Sequence, residues 1–136
     1  MHNVDEDEGQ KLTPETAALI SNGLDFLNKA REELEAGQAK FSVVSFWTAV
    51  EILMKVPLVQ EHWTLACSGK KMERHKYLAG DFQSVTYDEA CARLRDVLEK
   101  PLNKKTADTF NKVKNHLTAW CTFITTNSVR AISSRC

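Results

Sequence analysis

The chain has no net charge, since 18 Lys+Arg stand against 18 Asp+Glu over 136 residues. That excludes binding to nucleic acid through bulk charge alone, although a local basic face remains open. No uninterrupted run reaches the ~18 apolar residues of a membrane span. The opening MHNVDEDEGQ is acidic and lacks the apolar stretch of a secretory signal. The expectation is a cytoplasmic protein with no membrane segment. Cys67, Cys91, Cys121 and Cys136 include no CxxC pair. Without signs of secretion they read as four unrelated thiols rather than two disulfides. There is no Gly-rich phosphate loop and no HExxH. His62 and Cys67 lie five apart with no further ligand near in sequence, which reads as an interfacial histidine and a core cysteine rather than a metal or nucleophile site. No metal or cofactor is expected.

What the chain does contain is one core's worth of apolar residues, 43% of the total. Residues 1–12 are polar, acidic and aperiodic, and are expected to be disordered. Thr13-Pro14 then opens a helix in the favoured way, a Thr cap followed by Pro in the first turn. Ala17, Ile20, Leu24, Leu27 and Leu34 form its apolar stripe, and Gly37 is its natural stop. A second helix, roughly Lys40 to Trp63, is apolar nearly all round and should therefore be central, with Pro57 kinking it or ending its first segment. Periodicity fails between Cys67 and Val85, where Lys70, Lys71, Arg74, His75 and Lys76 mark a long basic connection. That cluster reads either as a solvated loop or as a phosphate-contacting segment with Tyr77 available for stacking.

Thr86-x-x-Glu89 is a capping box ahead of Cys91, Leu94, Val97 and Leu98, a third helix ended by Pro101. A fourth starts near Asn103, with Ala107, Phe110, Val113 and Leu117 on one face. Four helices and no convincing strand predict an all-α bundle. The last twenty residues, LTAWCTFITTNSVRAISSRC, do not match the rest: they hold no Asp, Glu or Lys, whereas residues 1–116 hold 30. Four threonines there weaken a helix that runs well up to His116. The composition breaks inside an element rather than at a linker.

The stretch FSVVSFWTAVEILMK at 41–55, EHW at 61–63 and GDFQSVTYDEACARL at 80–94 together resemble a branch of the prokaryotic HEPN superfamily, over roughly residues 14–116. The resemblance implies a four- to five-helix HEPN-like bundle spanning 13–117, followed by an atypical tail at 118–136. It also implies a homodimer. Many such domains are metal-independent RNA endonucleases of toxin–antitoxin and anti-phage systems; others bind nucleotides or serve as interaction modules. The implied partners are RNA and an antitoxin or other protein. The family's catalytic signature is Arg, four to six residues, then His, on the late helix. The histidine moves the proton of an RNA 2′-hydroxyl, and the arginine holds the scissile phosphate.

This chain lacks that signature. No His stands five to seven places after Arg31, Arg74, Arg93, Arg95 or Arg130, and no Arg stands at the matching distance before His116. FNKVKNH at 110–116 resembles the approach to the signature, and the departure falls where the composition breaks. Loss of a single nucleotide just after the His116 codon would account for both facts. Shifted by one restored base, the codons of Trp120, Cys121 and Thr122 force a Val followed by His or Tyr. Ordinary codon choices then allow HRDRMVHFY, an Arg-x4-His string at the expected point. The chain as it stands is therefore expected to have no catalytic residues and no ribonuclease activity. Lys112, Lys114 and His116 are its candidate RNA contacts, with a solvated face as the alternative for the two lysines. The other reading is a non-catalytic helical binding or adaptor module. If the tail does not complete the last helix, apolar surface around Leu53 and Phe110 should be poorly covered, with marginal stability or aggregation as the result.

Overall fold

A computed structural model describes the backbone of residues 11–133 and the side chains of residues 11–118. The segment expected to be disordered, 1–12, lies outside the described residues except for Lys11 and Leu12. Helix α1, Pro14–Glu35, begins where the Thr13 hydroxyl accepts the Thr16 N–H at 3.2 Å. It stops at Gly37, whose φ of 76° lets its own N–H reach the Leu34 carbonyl and that of Gln38 reach Glu33.

The second helix, expected over Lys40 to Trp63 with Pro57 kinking it or ending its first segment, is two helices, α2 at Ala39–Met54 and α3 at Val56–Glu61. Pro57 has no N–H to return to the Leu53 carbonyl, so the helix breaks at Lys55 and restarts. His62 is extended and a 3-10 turn follows over Trp63–Ala66.

The basic connection is not irregular throughout: Arg74–Ala79 form α4. Six residues are too few to show a periodicity. The signal for α4 was Gly80, which ends it with the same paired hydrogen bonds that close α1. Helix α5, Tyr87–Asp96, carries the predicted capping box, with both Thr86–Glu89 hydrogen bonds present at 3.2 Å. It stops five residues before Pro101. Helix α6 runs from Lys104 to Ser133 and so passes residue 117 without a break; Asn103 Oδ1 caps it by accepting the Thr106 N–H. The fold is an all-α bundle with no strand among the described residues.

The core lies where α2, α3 and α5 meet: Trp47, Val50, Met54, Leu58, Val85, Tyr87, Ala90 and Leu94. Phe110, Val113 and Leu117 of α6 lie against it, on the face the spacing predicted. Phe110 is half-buried against Phe46 and Tyr87, and Leu53 is also half-buried. The expected bare surface at Leu53 and Phe110 is therefore partly covered.

The leucine stripe of α1 is a correction. Leu24, Leu27 and Leu34 are exposed, and the buried positions are Thr16, Gly23 and Ala30. These small residues let the backbones of α1 and α2 approach closely; a Cβ on Gly23 would stand 2.5 Å from Leu53 Cδ2. The serines of α2 complete the contact. Ser42 donates to the Ala30 carbonyl at 2.6 Å and Ser45 to the Glu33 carboxylate, while Phe41 and Val44 face outward.

Ala39–Glu61 is apolar enough, by length and composition, to cross a membrane. Here it is broken at Lys55 and buries Trp47, Ala49, Val50, Met54, Leu58 and Val59, which is compatible with the central helix of a soluble protein.

Candidate nucleic-acid interface

The three residues expected to meet RNA do not share a face of α6. At 3.6 residues per turn, Lys112 and Lys114 are about 200° apart, whereas Lys112 and His116 are nearly superposed. Lys112 and His116 are exposed. The Lys114 ammonium lies 2.8 Å from Asp88 Oδ2 and 5.7 Å from the centre of the Tyr87 ring. It ties α6 to the first turn of α5 and is already matched with a carboxylate.

His62 and Cys67 have structural surroundings. His62 Nδ1 accepts the Thr64 N–H and pairs with the Thr64 hydroxyl at 2.7 Å, so the ring caps the 3-10 turn. The Cys67 thiol is buried, and burial pushes its pKa up despite the opposing charge of Arg93. A thiol held protonated is a poor nucleophile and a poor metal ligand. Cys67 and Cys91 are free, while Cys121 and Cys136 lie outside the described side chains. Among the described residues no group of three or more His, Cys, Asp or Glu side chains could hold a metal ion.

The basic connection has a definite shape. An isolated antiparallel bridge joins Cys67 to Ser84. Ser68 N–H donates to Gln83 O at 2.7 Å and Val85 N–H to Ala66 O at 3.0 Å, which pins the neck of the excursion 68–83. Arg93 of α5 reinforces the neck by donating to the carbonyls of Thr64, Leu65 and Cys67.

Farther out, His62, Trp63, Tyr77 and Phe82 form a continuous run of rings, with successive centroids 5.8, 5.1 and 4.9 Å apart. Arg74 lies over both Trp63 and Tyr77 and bonds Glu15 at 2.7 Å, anchoring α4 to α1. That hydrogen-bonded guanidinium holds the Glu15 carboxyl below its usual pKa. Between this wall and the loop opens a cleft of about 630 Å³, lined by Trp63, Lys70, Lys71, Met72, Lys76 and Phe82, with Glu73 and Asp81. The sequence showed the cations and Tyr77. Trp63 and Phe82 were missed, although both lie close to the ends of the basic segment.

A second opening is apolar. A groove of about 660 Å³ lies between α1 and α6 with α2 as its floor; Leu27, Leu34, Val43, Phe46 and Val113 line it, and Arg31 is the one charged residue among the described side chains of its lining. It adjoins a smaller recess of about 250 Å³ that holds Leu53 and Phe110. No protein-family model, curated protein or solved structure matches this chain.

Proposed function

We propose that this chain is a HEPN-like helical domain related to the metal-independent RNA endonucleases of toxin or anti-phage systems, and that it is catalytically silent. The observation that carries this reading is on α6. On the helix where the signature belongs, the described side chains offer no arginine, and of the three candidates Lys114 is engaged by Asp88. Without a guanidinium on the phosphate and a histidine one signature away, neither charge stabilisation nor proton transfer is supplied. In this reading the protein is cytoplasmic and pairs with a second copy. RNA and an antitoxin or other protein are its partners, and residues 118–136 are the product of a frameshift.

Two measurements on one sample test the proposal. The gene is sequenced from the Asn111 codon past the stop, and the purified chain and a frame-restored chain are each incubated with mixed RNA in EDTA. The expected result is a shifted frame reading on through Arg-x4–6-His, cleavage by the restored chain and none by the present one. Cleavage by the present chain, or a shifted frame without the signature, overturns it. The apolar groove favours a second reading, a non-catalytic adaptor that seats a partner protein between α1 and α6. A shifted frame that leads nowhere would bring that reading forward.

A further inference from the structure

We infer that the cleft beside α4 is a binding site for single-stranded nucleic acid, taking a nucleobase against Trp63 and Phe82 and the adjoining phosphates on Lys70, Lys71 and Lys76. The site is remote in sequence from the α6 residues and does not depend on the family reading above.

Charge supply comes first. Among the described residues, neither Lys70 nor Lys71 has a carboxylate within ion-pairing distance, whereas Lys76 shares Glu73 with His75, at 3.7 and 3.3 Å. Arg74 is committed to Glu15 and the rings, so it holds the wall in place and leaves the lysines to the ligand. The apolar part of the cleft is aromatic, and every base has a π-face that stacks on such a surface. Phe82 lines the cleft and is 37% exposed, which leaves ring surface open to a ligand.

The two carboxylates decide between ligand classes. Glu73 and Asp81 line the same cleft as the lysines. They repel the carboxylates of an acidic peptide and phosphates alike, so what favours a nucleic acid is that they can also accept hydrogen bonds from the exocyclic amino groups of bases. A duplex keeps its bases stacked and paired, so only an unpaired strand can present one to a recess of this kind. The frame is also made in advance. The neck hydrogen bonds, the Arg93 contacts and the Arg74 anchor hold the ring wall and both ends of the lysine loop in place before any ligand arrives, which reduces the ordering cost of binding.

The test is fluorescence anisotropy of a labelled 12-nucleotide single-stranded RNA titrated with the full chain at several salt concentrations. Three lysine–phosphate contacts predict a slope of log affinity against log salt near about −2. In K70Q/K71Q the slope should fall to about −0.7, with affinity at low salt reduced on the order of tenfold or more. F82L, which keeps an apolar side chain for packing, should weaken binding about fivefold or more through lost stacking. K112Q should change affinity less than about twofold, which separates this site from α6. Circular dichroism melts of each variant report folding independently. The proposal is overturned by an absence of binding at low salt, by K112Q being the variant that loses affinity, or by polyglutamate competing as well as polycytidylate.

Discussion

On the side of α2 that meets α3 and α5, large residues close the space: Leu58 is 0% exposed, and Leu94 4%. On the side that meets α1 the contact is made by Gly23, Ala30, Ser42 and Ser45, and the leucines of α1 turn away from it, Leu34 to 62% exposure. Both surfaces look alike as apolar helices in a sequence, yet they are held by different means. The first depends on removing large apolar side chains from water. The second depends on close backbone approach and two serine hydrogen bonds, and leaves its large side chains outside beside an open groove.

Substitutions can sharpen or break that contrast. Leu58→Ala should have the largest effect, a loss of about 2–5 kcal/mol in denaturant unfolding, since Leu58 is fully buried and its truncation leaves a cavity in the core. A loss below about 1 kcal/mol would mean the tight side is not tight. Arg93→Met comes next. Its guanidinium serves three backbone carbonyls, and hydrogen bonds from a charged donor carry about 1.5–3 kcal/mol. The same variant should speed hydrogen exchange in the 68–83 excursion more than in α1. Smallest is Leu34→Gln on the open side, expected within about 0.5 kcal/mol of the parent. If it instead shifts the sedimentation profile toward a smaller species, the groove side is covered in solution by another copy.

How far the sequence could be read follows from the same contrast. Caps are local, so Thr13, Gly37 and the Thr86–Glu89 box announced their helices correctly. Pro57 announced the α2–α3 break for the same reason, because a missing N–H acts within one turn. The face of α1 was misjudged because a periodic stripe of leucines says only that one side of a helix is apolar. Whether that side meets α2 depends on Thr16, Gly23 and Ala30, whose smallness matters only once the second helix is in place. The candidate site was half legible. A run of cations is visible as a run, whereas Trp63 and Phe82 join Tyr77 only because the bridge at Cys67 and Ser84 folds the chain back on itself.

That bridge has a consequence for how such a protein can change. With Ser68 bonded to Gln83, the excursion leaves and rejoins the bundle at nearly one point, and its further ties to the bundle are the exposed Arg74–Glu15 pair and the Trp63–Tyr77 contact, so its length matters little to the rest of the fold. Loop-closure cost grows only slowly with length, and a short turn could take the place of the whole segment. The bundle therefore carries its ring-and-lysine appendage as an exchangeable part: what it binds can drift, lengthen or vanish while the helices beneath keep their packing.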